Sequence, residues 1–232
     1  MKRLLCKFLS LPCKFNISLE MYETERKELV EILRKKGITN KDVLDAFMRV
    51  ERHLFVPDIM KQHAYTDVAL PIGMGQTISQ PYTVAYMTQI LEPKSGQRIL
   101  EIGTGSGYQA AILSALGARV FTIERHHGLY ESATKLFDKL NLRIAARCSD
   151  GTLGWQEFAP YDGIIVTAGG PSVPPNLKKQ IAIGGKMVIP VGDKKLQSLQ
   201  IISKIEEDQF QSREVPYFAF VPLIGKEGWK ER

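Results

Sequence analysis

The chain reads as an α/β protein built on a mostly parallel sheet, and three observations carry that reading. Short apolar runs at 98–102 (RILEI), 119–123 (RVFTI), 143–147 (RIAAR), 162–167 (DGIIVT) and 186–190 (KMVIP) recur at intervals of helix length. The segments between them at 106–116, 127–140 and 174–183 predict helices. The first run passes straight into a glycine turn, Gly103-Thr104-Gly105-Ser106-Gly107, that opens the first of those helices. Strands separated by helix-length segments form right-handed βαβ units on a parallel sheet.

The other elements follow from local patterning. Residues 22–36 predict an amphipathic helix with Leu29, Ile32 and Leu33 on one face, stopped by Gly37. Residues 40–50 predict a second, capped at Thr39/Asn40. "HLFVPD" and "DVALPIGMGQTISQP" predict a long irregular stretch, with Pro71, Gly73, Gly75 and Pro81 inside it. A helix starts after Ser79, takes Pro81 into its first turn and runs to about Leu91. After residue 190 the pattern changes: 197–205 and 213–221 are strand-like with no helix between them, which predicts antiparallel edge strands.

With 232 residues, 44% of them hydrophobic, the chain can bury one good core. The expected organisation is a single domain over 21–232 with an N-terminal helical part. Residues 1–20 are expected to be a leader, either disordered or lying before the true start at Met21. Lys7 breaks its apolar stretch, and Pro12 precedes Cys13 where an export signal wants a small residue.

Composition narrows the function classes. No apolar run reaches the roughly 18–20 residues that cross a membrane. Cys6, Cys13 and Cys148 show no paired spacing, which suggests a reducing, cytoplasmic compartment. His53, His63, His126 and His127 form no metal-ligand pattern, so no metal is expected. Half of the net charge of +6 lies in the first 20 residues, and the body carries no long basic run. A mildly basic surface without a nucleic-acid or membrane partner is the expectation, in a monomer.

A strand, a glycine turn and a helix could hold NAD, FAD or S-adenosylmethionine. The spacing here is G-x-G-x-G, and Tyr108 stands where the dinucleotide fingerprint has its last glycine. A diphosphate wants backbone N–H groups and no nearby carboxylate, yet Glu101 lies two residues before Gly103. S-adenosylmethionine carries an ammonium and a sulfonium, so an acid there favours it. Glu124 ends the next strand, where a carboxylate can accept both ribose hydroxyls, and Asp150-Gly151 ends the third, where one can accept from the adenine amino group.

The acceptor side points to "LPIGMGQTISQPYTV", residues 70–84, whose Thr77 and Ser79 place hydroxyls beside a helix start. Ser79 is either a helix N-cap or a substrate contact. No general base stands out, and no Asn-Pro-Pro-aromatic segment follows the fourth strand, where Thr167-Ala168-Gly169-Gly170-Pro171 stands instead. A missing base fits an acceptor that is already anionic, such as a carboxylate.

Four segments resemble the protein-L-isoaspartate O-methyltransferase family: "LPIGMGQTISQPYTVAYMTQIL", "ILEIGTGSGYQAAILSALGARVFTIER", "SDGTLGWQEFAPYDGIIVTAGGPSVPPNLKKQIAIGGKMVIPVG" and "FAFVPL". The glycine loop is common to many methyltransferases, whereas "GQTISQP", "APYDGIIVTA" and "FVPL" together are far more specific. The resemblance implies a Rossmann-like S-adenosylmethionine-dependent methyltransferase fold whose last strands depart from the usual order. It also implies methyl transfer to the α-carboxylate of L-isoaspartyl residues in damaged proteins and peptides, whose ester then closes to a succinimide. Residue by residue, it implies Ser79 in the active site, with Thr77 and Ile78 lining the same pocket. Gly103, Thr104 and Gly105 match the cofactor loop, Glu124 the ribose acid, and Asp150-Gly151 the adenine site. The family usually has Gly-Asp-Gly where this chain has Ser149-Asp150-Gly151. A methyltransferase acting on a small molecule or RNA is the alternative reading.

Overall fold

The computed structural model describes residues 14–231. Most of the expected leader, residues 1–13, lies outside the described residues. Helix α1 spans Lys14–Lys35 and so begins seven residues before Met21. No Gly or Pro interrupts residues 13–36, so nothing in the sequence forces a helix to wait for Met21. Its stop is as expected. Gly37 takes φ +96°, and Ile38 N–H donates back to Leu33 O at 3.1 Å, a Schellman-type ending that satisfies an otherwise orphaned carbonyl. The buried stripe is Arg26, Leu29, Val30 and Leu33, while Ile32 is 40% exposed. The expectation for Ile32 fails on angle: at 100° per residue the four buried residues span an arc from Leu29 to Val30, and Ile32 lies outside it, roughly 110° from its centre.

Helix α2, Lys41–Arg49, is capped by Asn40, whose Oδ1 accepts the Val43 N–H at 3.2 Å. The stretch expected to be irregular is more ordered than its composition suggests. It holds two 3₁₀ turns, Arg52–Phe55 and Asp58–His63, and a two-stranded hairpin, β1 (Leu70–Gly73) and β2 (Gln76–Ile78). The hairpin turn runs through Gly73, Met74 and Gly75, all with positive φ. Helix α3 spans Pro81–Leu91, with Gln80, not Ser79, at the N-cap position.

The sheet strands then arrive in order: β3 (Arg98–Ile102), β4 (Arg119–Glu124), β5 (Ile144–Cys148), β6 (Tyr161–Val166), β7 (Ile181–Gly192), β8 (Gln197–Glu206) and β9 (Gln209–Phe218). Between them lie α4 (Tyr108–Ala115), α5 (His127–Lys139) and α6 (Pro175–Lys179). The helix expected over 174–183 is cut short because Ile181 already pairs with Tyr161 on β6. The spatial order is β5-β4-β3-β6-β7-β8-β9. Pairing is parallel from β5 to β7 and antiparallel for β7–β8 and β8–β9. The expected antiparallel edge is therefore present, with the last three strands laid down in chain order.

Both faces of the sheet are covered. Leu100, Ile102, Phe121, Ile123, Ile164, Val166, Met187 and Ile189 form one core. The alternate residues Ile99, Val120, Ile165 and Val188 pack on α3, α4 and α5. A third cluster joins α1, α2 and the 52–85 region to α4. Burial on both faces is why these strands read as unbroken apolar runs.

Candidate functional site

Strand order reverses at β3, which has β4 on one side and β6 on the other. A doubly wound sheet opens its ligand crevice beyond the carboxyl ends of the strands at such a point. A cleft lies there, with about 900 Å³ of empty space counting its mouth. Thr77, Ile78, Ser79, Glu101, Gly103, Thr104, Gly105, Glu124 and Gly151, all expected from sequence, line it.

The glycine loop is shaped by contacts a side chain would block. Gly103 has φ +95°, and a Cβ there would lie 2.5 Å from Thr167 Oγ1. That hydroxyl is fixed in place, sharing its one proton between Gly103 O at 2.7 Å and Ile102 O at 3.0 Å. Gly107, φ +86°, sits against the Phe137 ring, and an added Cβ would meet it at 2.5 Å. Glu124 is buried and clasps the loop. Its Oε2 accepts the Gly105 N–H at 2.9 Å, and its Oε1 accepts the His126 N–H at 2.8 Å. Each carboxylate oxygen can accept two hydrogen bonds, so each keeps the capacity for one more.

Glu101 is fully buried at the end of β3. Its Oε2 accepts from Thr122 Oγ1 at 2.6 Å, and Thr122 Oγ1 lies 2.6 Å from Thr104 Oγ1. Because Thr122 gives its only proton to Glu101, Thr104 donates to Thr122. Glu101 Oε1 has no hydrogen-bond partner. Burial, with a smaller push from the neighbouring Glu124, outweighs the Thr122 hydroxyl and raises this carboxyl to about 8. An unpaired carboxyl oxygen in the wall of the cleft can take up negative charge when a cation binds beside it, and it is the observation that fits S-adenosylmethionine to this cleft.

A pH dependence follows. Between its ordinary value near 4.5 and about 8, Glu101 keeps in the folded protein a proton that the unfolded chain has released. Its contribution to stability is complete below that window and is lost as pH rises through it. A bound cation favours the ionised form. Binding of S-adenosylmethionine near pH 7 is therefore expected to release protons, and Glu101→Gln to abolish most of that release. Calorimetry in buffers of different ionisation enthalpy reads the proton count; an equal count in both proteins contradicts the assignment.

The structure places Asp150 differently from the other expected residues. Its Oδ1 accepts from Thr152 N at 2.9 Å and Thr152 Oγ1 at 2.7 Å, and its Oδ2 from Lys226 N at 2.8 Å. The side chain thus ties the turn after β5 to the C-terminal segment, while Gly151 faces the cleft.

Several lining residues carry no sequence assignment. Phe220, Val221, Pro222, Leu223 and Ile224 close one wall. That segment is held to the end of β6 by Gly169 N→Val221 O and Leu223 N→Gly169 O, both 2.8 Å. The "FVPL" run is the signal that marks it. A second cleft adjoins the first, bordered by Tyr82, Tyr86, Pro216, Tyr217 and Phe218. Thr77, Ser79, Thr83, Thr167, Phe220 and Val221 line both clefts. Ser79 therefore stands at their junction. Among the described residues no cluster of His, Cys, Asp and Glu is placed to hold a metal.

A glycine loop at the switch point, acids towards the ends of β3 and β4 and a second cleft opening beside the first define an S-adenosylmethionine-dependent methyltransferase of the Rossmann-like class. Known proteins give the family. The family model for Protein-L-isoaspartate(D-aspartate) O-methyltransferase (PCMT) matches residues 24–228. A protein-L-isoaspartate O-methyltransferase of Chlorobium phaeovibrioides is 51% identical over 222 residues, covering 91% of this chain and 95% of its own. One from Cytophaga hutchinsonii is 48% identical over 207 residues, covering 89% and 94%. Among solved structures, a protein-L-isoaspartate O-methyltransferase superposes with TM-score 0.81 at 28% identity, covering 88% of this chain and 67% of that one. A Plasmodium falciparum protein, crystallised with S-adenosyl-L-homocysteine, shares the fold at TM-score 0.77 and 24% identity, over 86% of this chain and 98% of its own. The chain belongs to the protein-L-isoaspartate(D-aspartate) O-methyltransferase family.

Proposed function

We propose that this enzyme transfers the methyl group of S-adenosylmethionine to the α-carboxylate of L-isoaspartyl residues in damaged proteins and peptides, so starting their repair through a succinimide. The observation that carries the reading is the position of Ser79 between the glycine-loop cleft and the aromatic-walled second cleft. When bound, the cofactor supplies an electrophilic methyl group. The chain's own residues then have three tasks. Gly103, Thr104 and Gly105 let the backbone approach the cofactor, with Thr77 and Ile78 closing over it. Glu124 receives the ribose hydroxyls, Glu101 faces the cationic end, and Gly151 with the backbone around Asp150 bounds the adenine. Ser79 donates to one oxygen of the acceptor carboxylate and leaves the other free to react. The acceptor is already an anion, so no general base is needed and the Ser79 hydroxyl has only to orient it.

The proposal includes a single catalytic domain over 21–232, working as a cytoplasmic monomer on protein and peptide substrates, without a nucleic-acid or membrane partner. Among the described residues no helix is long and apolar enough to cross a membrane. The test is the appearance of a base-labile methyl ester on an isoaspartyl peptide; transfer to RNA or a small molecule instead would favour the alternative.

A further inference from the structure

The residues on either side of Ser79 are anchored to one short segment. On the N-terminal side, Ile78 pairs with Leu70 across the hairpin. On the C-terminal side, the first turn of α3 lacks a side-chain cap of its own, since Gln80 makes no capping hydrogen bond. Asp67 supplies the cap from 15 residues away. Its Oδ1 accepts the Tyr82 N–H at 2.7 Å, and its Oδ2 accepts from Gln80 Nε2 at 3.1 Å and Lys36 Nζ at 2.6 Å. The Asp67 side chain is only 8% exposed.

The Asp67 turn is itself clamped. Arg52 is fully buried, and it donates through Nε to Ala64 O at 2.8 Å and through Nη2 to Val68 O at 3.3 Å. Those carbonyls bracket Asp67. A buried guanidinium committed to backbone oxygens leaves the turn little freedom. Leu70 and Asp67 lie three residues apart and hold the two flanks of Ser79, whose own hydroxyl is left for a ligand.

We propose that Asp67 is a positioning residue for methyl transfer: by holding Gln80 and Tyr82 from a turn fixed by Arg52, it sets where the Ser79 hydroxyl stands between the two clefts. This rests on the reading of Ser79 as the acceptor contact. Asp67 touches neither cleft, so its influence runs through the α3 start. An error of about 1 Å in a positioned group can cost on the order of 100-fold in rate.

The test uses Asp67→Ala, Asp67→Asn, Ser79→Ala and the Asp67→Ala/Ser79→Ala double variant, assayed with isoaspartyl peptide well below each melting temperature. Asp67→Ala is expected to lower kcat by roughly 10-fold or more while S-adenosylhomocysteine affinity stays within about 2-fold. Asp67→Asn keeps an acceptor for Tyr82 N–H but turns amide hydrogens towards Gln80 or Lys36. It should recover part of the loss, leaving kcat about 3-fold below wild type. In the Ser79→Ala background, Asp67→Ala should add less than about 2-fold, because both act on one hydroxyl. Wild-type kcat in Asp67→Ala overturns the proposal, and so does a parallel loss of kcat and S-adenosylhomocysteine affinity. Full multiplication of the two losses also overturns it. If Asp67→Ala does not fold, Asp67→Asn carries the test, and wild-type kcat in it is the overturning result. Normal turnover in Ser79→Ala alone marks failure of the Ser79 reading, which the single variant separates from failure of Asp67.

Discussion

Ser79→Ala should leave the fold unchanged and reduce kcat/KM for isoaspartyl peptide by about 100-fold or more, the scale of losing a group that aligns a reactant. A helix-cap role predicts the opposite pattern: roughly 1 kcal/mol of stability lost and little catalysis. The structure already separates these roles. Gln80 holds the N-cap position and Asp67 receives the Tyr82 N–H, so no helix bond depends on Ser79. A melt and a methyl-transfer assay on the same preparation decide the matter. Ser79→Thr sharpens it, because the hydroxyl survives while an added methyl crowds the junction of the clefts. Near-normal turnover in Ser79→Ala would remove Ser79 from the site.

Glu124→Gln should weaken S-adenosylmethionine binding by about 1–3 kcal/mol, or roughly 5- to 150-fold. Two effects add. Charge-assisted hydrogen bonds to the ribose become neutral ones. In addition, the new amide nitrogen is a donor set against a backbone donor, either Gly105 N–H or His126 N–H, both of which now point at carboxylate oxygens. The glycine loop should loosen as a consequence, so affinity for S-adenosylhomocysteine should fall in step. Calorimetry showing unchanged affinity for both ligands would take Glu124 out of the binding site.

Legibility in the sequence followed the source of each element's stability. Strands β3 and β4 begin where expected because burial on both faces writes an apolar run into the chain. The antiparallel edge was readable from two strand-like segments with no helix between them. The β1–β2 hairpin was not readable. Its strands are four and three residues long, with Pro71 inside one, so no alternation has room to develop. Helix α6 was overextended because Ile181 and Ala182 suit a helix as well as a strand, and only pairing with β6 decides. The acids at the strand ends were visible as residue types, but their partners were not. Glu101 and Glu124 face the cleft, whereas the Asp150 carboxylate is occupied by Thr152 and by Lys226, 76 residues away. Asp67 gave no local signal, since its two hydrogen-bond partners at the start of α3, Gln80 and Tyr82, lie 13 and 15 residues further on.

Selection of an isoaspartyl carboxylate is the task assigned to the second cleft. Its most direct measurement is methyl incorporation from S-adenosylmethionine into two peptides of one sequence, differing only in an isoaspartyl or a normal aspartyl linkage. A site that must bring the carboxylate to Ser79 loses alignment when the backbone is one methylene different, and misalignment of that size costs about 100-fold or more. Rapid ester formation is expected on the isoaspartyl peptide, with at least that preference over its twin. Equal methylation of the two peptides, or none of the isoaspartyl one, would contradict it.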